Sequence, residues 1–289
     1  MGKVGAFLRL TRIEHSIMLV VAVLAAELIS GGLPPAPVLL LSLVAPILIS
    51  MSSFAINDYF DVKSDTINRR FDRPLVSGEI SRGTALWIAA FTLVAGVGAG
   101  ALINSYAFAI ALAFGALAML YSYRLKDVML LGNVYIAFSM AIPFVFGNFV
   151  YTRTLEPSII IIFFIIFLSG LAREIHGMIR DYRGDSKARK TKNLIRYIGS
   201  RTAAMFAFVL YLEAVILSLF LFFFTPPFRY NAVYLLPILA TDLMLVYVSL
   251  VYAKGGSAGL YRLSRNISLA AMGIALLAFL LSPLVSVIV

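Results

Sequence analysis

The sequence predicts an all-α polytopic membrane protein with nine transmembrane helices. Three observations carry that expectation. Hydrophobic residues make up 61% of the chain and charged residues 13%, against about 25% charged in an ordinary soluble domain. The apolar residues fall in blocks of about 20, the length of helix that a hydrocarbon core of ~30 Å requires. Lysine and arginine are confined almost entirely to alternate inter-block segments, the distribution that the positive-inside rule describes.

The expected spans are 15–33, 37–56, 84–103, 106–121, 129–151, 157–178, 202–224, 231–253 and 267–287. The fourth is the shortest. Pro46, Pro143 and Pro237 fall inside spans, where neighbouring helices can re-satisfy the carbonyl that each proline frees. The first block is too long for a secretory signal and lacks a small-residue cleavage pattern, so it reads as a span. Of the 24 basic residues, all but Arg153 and Arg229 lie on one side of this arrangement. That side holds the N-terminus, the segments after spans two, four, six and eight, and by the positive-inside rule it is cytoplasmic. The C-terminus is expected outside.

Two long charged segments follow spans two and six, four spans apart. The chain therefore reads as a single domain, 1–289, of two four-helix units over about 15–122 and 129–253, with a ninth helix over 267–287. An even number of spans separates the units, so the repeat is parallel rather than inverted.

Composition excludes several chemistries. With no cysteine, there is no disulfide, thiolate nucleophile or Cys-ligated zinc site. His15 and His176 are the only histidines. The net charge of +10 reports topology and contact with anionic lipid headgroups rather than nucleic acid.

The chemistry concentrates in Asn57–Gly78, N-D-Y-F-D-V-K-S-D-T-I-N-R-R-F-D-R-P-L-V-S-G, which carries four aspartates and four basic residues. Asn57, Asp61 and Asp65 are spaced i, i+4, i+8 and share one helical stripe, since four residues at ~100° each drift by only ~40°. Asp58 lies off it. A second stretch, Arg173–Arg189, places Asp181 and Asp185 at i, i+4, with Glu174 seven residues before Asp181. Carboxylates clustered on one face repel unless a cation binds between them. Oxygen ligands without His or Cys suit Mg²⁺. Arg69, Arg70 and Arg73 follow the first stripe, Arg124 and Lys126 close span four, and Arg180 and Arg183 interleave the second. Carboxylates that hold a metal, cations that grip phosphates and apolar spans that take a lipid tail suit a leaving diphosphate, whose developing charge must meet fixed positive charge. A solvated charged loop is the commonest fate of a charge run. Here, helical spacing in both stretches and their shared membrane face argue against it.

At these residues the chain resembles the UbiA superfamily of intramembrane prenyltransferases. The first motif meets the pattern Asn-x₃-Asp-x₃-Asp with Asn57, Asp61 and Asp65. Tyr121–Lys126 (Y-S-Y-R-L-K), Leu131–Asn133 (L-G-N) and R-E-I followed by D-x₃-D at Asp181 and Asp185 are also similar to the family. The archaeal digeranylgeranylglyceryl phosphate synthases form the nearest branch in pattern. Its members often carry further acids in the second motif, where this chain has Gly177, Met178 and Arg180. The resemblance implies nine helices around a central cavity open to the cytoplasm and two Mg²⁺ ions bridging the two aspartate motifs and a diphosphate. The implied reaction transfers a prenyl chain, such as geranylgeranyl from its diphosphate, to a lipid acceptor such as geranylgeranylglyceryl phosphate or to an aromatic acceptor of quinone biosynthesis.

On this reading Asn57, Asp61, Asp65, Asp181 and Asp185 are the metal ligands, and Asp58, Asp61, Asp181 and Asp185 the catalytic acids. Arg69, Arg73, Lys126 and Arg183 grip the diphosphate. Tyr135, Phe138, Phe144 and Phe146 of span five are expected to wall the site. A transporter is the reading from another class, because Glu213 and Asp242 fall well inside spans seven and eight. The D-x₂-D-G-x₂-A-R signature of CDP-alcohol phosphotransferases is absent.

Overall fold

The computed structural model describes residues 2–184 and 193–286. Ten α-helices account for nearly all of them: α1 (Lys3–Thr11), α2 (Ile13–Ile29), α3 (Ala36–Ile67), α4 (Arg82–Ile103), α5 (Ser105–Tyr123), α6 (Leu131–Tyr151), α7 (Pro157–Gly184), α8 (Leu194–Phe224), α9 (Ala232–Ala253) and α10 (Ala258–Ser286). A 3₁₀ turn, Leu125–Asp127, links α5 to α6. Asp185, a predicted ligand, lies outside the described residues, as do Lys187, Arg189, Lys190 and Lys192.

Among the described residues, eight helices, α3 to α10, are long and apolar enough to cross a membrane. The chain is an integral, multi-pass membrane protein. The first expected span falls on α2, which has 17 residues and rises about 25 Å. Ser30, Gly31 and Gly32 end it. Gly31, at φ 137°, admits no side chain, because a Cβ there would stand 2.4 Å from the Tyr151 ring.

Local sequence explains the helix ends. Ser81, Asn104, Asn193 and Asn231 cap α4, α5, α8 and α9 by accepting from backbone N–H groups two or three residues on, each worth about 1 kcal/mol. A non-helical Gly199, φ 76°, divides α8 and sets the turn 194–198, which carries Arg196, apart from the length beyond. The interior prolines of α3, α6 and α9 leave their helices continuous.

Each helix from α2 to α10 packs against its neighbour in the chain, and α10 returns to α2, closing a ring. Helix α2 also runs along α6. That contact is close because Gly147 has no side chain: a Cβ there would lie 2.7 Å from the Val23 carbonyl oxygen. Small residues allow such approach where the surrounding medium supplies little hydrophobic drive. Helices α3 and α7, with 32 and 28 residues, exceed the ~20 that a bilayer needs. Their surplus turns carry both charged motifs.

Candidate active site

The ring encloses a cavity of about 570 Å³, within the ~300–1,000 Å³ range of ligand pockets. Every helix from α2 to α10 except α4 lines it. Its walls are mainly apolar, with Phe114, Met140, Phe144, Phe146, Met272 and Phe279 among them. Of the predicted aromatic residues, Tyr135, Phe144 and Phe146 do line it. Phe138 instead stacks with Phe114, 5.6 Å between centroids, and meets Phe163 edge-on. Tyr121 and Tyr135 stack at 4.6 Å in the cavity wall.

One end of the cavity is polar, with Arg12, Asn57, Tyr121 and Arg173 in its lining. Asn57 is the first member of the α3 stripe, and Asp61 and Asp65 follow one and two turns on, both half-buried. The Lys126 ammonium from the 3₁₀ turn pairs with Asp61 Oδ1. Gly132 lets α6 start directly against Lys126, since a Cβ there would be 3.2 Å from its Cα. Asn133, next in sequence, donates to Glu174 Oε2 of α7 at 3.2 Å. The short L-K-D to L-G-N connection thus touches both acidic helices at one end of the bundle, α3 through Lys126 and α7 through Asn133.

Asp58 has a different environment. Its carboxylate is 1% exposed and sits between two guanidinium groups, with Arg12 donating to Oδ1 at 2.7 Å and Arg73 at 3.0 Å. Asp58, expected among the catalytic residues, thus meets two guanidinium groups with its carboxylate oxygens. Arg73 is held by Asp58 and by the turn that Pro74 begins, in which Val76 and Ser77 N–H groups bond the Arg73 carbonyl. Leu75 anchors that turn in a cluster with Leu10, Ala85 and Ala89.

Arg69 lies on an exposed turn at φ 55°. Asp181 is 59% exposed and accepts from its neighbour Arg180 at 2.9 Å. Arg183 does not join the predicted diphosphate group. It donates to Tyr261 Oη of α10 at 2.8 Å and lies over the Tyr261 ring, because its place on α7 turns it toward the α9–α10 connection.

Sequence reasoning missed Arg12, which it counted only as a topology charge. Arg12 ends α1 at φ 46°, lies 4.6 Å over the Phe54 ring and reaches the cavity. Helix α1 is docked by Arg9, whose guanidinium contacts both Glu79 oxygens at 2.6 Å. That contact and the Ser77 hydroxyl hold Glu79 below the ordinary carboxylate range. Arg70 does the same for Asp72.

Of the two intramembrane acids, Asp242 lines the cavity and accepts from Ser218 Oγ of α8 at 2.9 Å. Glu213 is exposed on the outer face of α8. They share no path.

Among the described residues, no three acidic or imidazole side chains converge as a ready-made metal cage. The donor set of the α3 stripe, an amide and two carboxylates with an ammonium group already resting on one of them, fits a hard divalent cation. Such an ion takes most of its ligands from water and phosphate oxygens.

The UbiA prenyltransferase family profile matches residues 18–269. The digeranylgeranylglyceryl phosphate synthase of Archaeoglobus fulgidus is 38% identical over 93% of this chain and 92% of its own. A solved structure described as giving insights into the biosynthesis of digeranylgeranylglyceryl phosphate synthase in membranes superposes with a TM-score of 0.82 at 26% identity, over 98% of this chain and 99% of that one. A UbiA homologue from Archaeoglobus fulgidus, bound to GPP and Mg²⁺, shares the fold with a TM-score of 0.65 at 21% identity, over 95% of this chain and 99% of that one. By sequence match over most of its length, and by fold, this chain belongs to the UbiA prenyltransferase family.

Proposed function

We propose that this protein transfers a prenyl group, geranylgeranyl in the first instance, from an allylic diphosphate to the free hydroxyl of geranylgeranylglyceryl phosphate, with Mg²⁺ as cofactor. One observation carries the reading: Arg12 and Asn57 line the polar end of an apolar cavity, and the Asp61–Lys126 pair follows one helical turn beyond Asn57. A diphosphate headgroup needs that polar rim, and a C₂₀ tail needs the cavity. The 38% identity to a digeranylgeranylglyceryl phosphate synthase favours the phosphorylated lipid acceptor over an aromatic one.

Asn57, Asp61 and Asp65 of α3 would hold the metal, with Asp181 of α7 and, from the sequence motif, Asp185 as further ligands. When bound, Mg²⁺ supplies fixed positive charge against the departing diphosphate. Lys126, which pairs with Asp61, exchanges that carboxylate for a phosphate oxygen. Arg12 and Arg73, aimed by Asp58, and Arg69 from its turn complete the cationic rim. Breaking the allylic C1–O bond leaves the electron pair on diphosphate and an allylic cation in the cavity. The faces of Tyr121 and Tyr135 offer that cation a negative quadrupole. The acceptor oxygen bonds to C1 and passes its proton to the departed diphosphate. Apolar walls keep water from capturing the cation first.

The working side is cytoplasmic, by the distribution of lysine and arginine. The chain acts as one domain, in which α2–α5 and α6–α9 are two similarly ordered units and α10 joins α9 to α2.

Purified protein in liposomes, given radiolabelled geranylgeranyl diphosphate and Mg²⁺, should label geranylgeranylglyceryl phosphate and leave aromatic acceptors unlabelled. Labelling of an aromatic acceptor alone would overturn the choice of acceptor.

A further inference from the structure

A second polar pocket of about 210 Å³ lies between α7, α9 and α10. Arg173, His176 and Arg180 line it from one stripe of α7 at i, i+3 and i+7, and Ser264 and Arg265 from α10. Glu174 also borders it, with Oε2 bonded to Asn133. The reaction derived above uses none of these side chains, and Arg173 lines both this pocket and the central cavity.

The pocket holds polar atoms with nothing to bond. His176 is 3% exposed, and neither ring nitrogen has a partner. Its ring is locked by a parallel stack on Tyr252 at 3.9 Å. Ser264, 1% exposed, has an unpartnered hydroxyl, and Arg173 Nε is buried and unpartnered as well. Buried polar groups are ordinarily satisfied, and several orphans facing one small space call for a ligand. Three guanidinium groups beside one carboxylate make that ligand an anion. Arginine's planar fork suits phosphate oxygens, and a serine hydroxyl and an imidazole N–H can complete the set.

We propose that this pocket binds the phosphate monoester of the acceptor lipid, as a second anion site separate from the diphosphate rim. The inference rests on the proposed reading of the acceptor as a phosphorylated glycerol lipid. Arg173, at the shared wall, lets a headgroup held in the pocket direct its hydroxyl and its tail into the central cavity. Two anions then occupy two separate cationic sites instead of competing for one.

The test has a binding arm and a turnover arm. Binding of geranylgeranylglyceryl phosphate and of geranylgeranylglycerol is measured by calorimetry in detergent, without Mg²⁺ or prenyl diphosphate. Wild type should prefer the phosphorylated lipid. Arg265→Gln, at an exposed position, and His176→Phe, which keeps the ring stack, should each weaken its binding roughly tenfold, the loss expected for one charge-assisted contact. Binding of geranylgeranylglycerol should not change. In turnover, the KM for geranylgeranylglyceryl phosphate should rise by the same factor, with the KM for geranylgeranyl diphosphate unchanged.

Selective binding that both variants lose, in a protein that turns over neither lipid, would sustain the site and sink the proposed reaction. Normal turnover with both variants binding as wild type would sink the site alone. Equal displacement by phosphatidylglycerol would mean a general lipid-headgroup site and would also overturn the proposal.

Discussion

Arg12 donates to Asp58 Oδ1 at 2.7 Å across 46 residues of sequence, and this contact fixes the entrance of the cavity. It ties the junction of α1 and α2 to α3. With Arg73 on the same carboxylate, it makes Asp58 the centre of a cation–anion–cation clamp. Such a clamp positions charge beside the polar end of the cavity.

Asp58→Ala should therefore be a stability variant first. Removing one partner of a buried ion pair costs about 3–5 kcal/mol, and the two guanidinium groups would be left side by side. A lowered melting temperature in detergent is expected, with residual transfer activity in the protein that stays folded. An unchanged melt would remove the clamp from the account.

Asp61→Ala should behave in the opposite way. Its side chain is 27% exposed and its partner is Lys126, so folding should survive. Transfer should fall by about three orders of magnitude, since the variant removes both a proposed metal ligand and the resting partner of Lys126. Lys126→Gln should mainly raise the KM for the prenyl diphosphate. Retained turnover in Asp61→Ala would count against the stripe.

Removing divalent metal should separate catalysis from folding. With EDTA, transfer should stop and return on adding Mg²⁺, while the melting temperature stays put. The ring is held by apolar and small-residue packing remote from the rim. A melt that shifted sharply with EDTA would mean a structural metal instead.

The docking of α1 should depend on pH. Arg9 and Ser77 hold the Glu79 carboxyl below its ordinary value of 4.5. A depressed carboxylate stabilises the docked form fully above its undocked value and loses that contribution as pH falls through the docked one. Because the chain has no cysteine, a spin label at Val4→Cys reports on α1 alone. Its spectrum should sharpen as pH falls below the carboxyl's ordinary value of 4.5, and in Glu79→Gln it should be mobile already at pH 7. A label equally immobile in both would remove the pair as an anchor.

Gly147→Ala should loosen the α2–α6 contact. The added Cβ would meet the Val23 carbonyl at 2.7 Å and the Ala26 methyl at 2.8 Å. Overpacking of this kind costs about 1–3 kcal/mol, read as a lower melting temperature.

The residues along each helix determined much of this protein by themselves. Apolar length and the placement of lysine and arginine marked the helices and their common charged end, and α2 alone fell short of the expected crossing. The spacing of Asn57, Asp61 and Asp65 on one stripe of α3 was equally legible, because a helix repeats its face within consecutive residues. Partnerships between helices were not. Lys126 meets Asp61 from 65 residues away, Arg183 turns to Tyr261, and Arg12 closes on Asp58. Asp242 faces the cavity while Glu213 faces out, although both looked alike as lone acids in apolar spans. Each of these outcomes depends on the rotation and lateral order of helices in a closed ring. Contacts between distant segments set that order, and no local run of residues contains them.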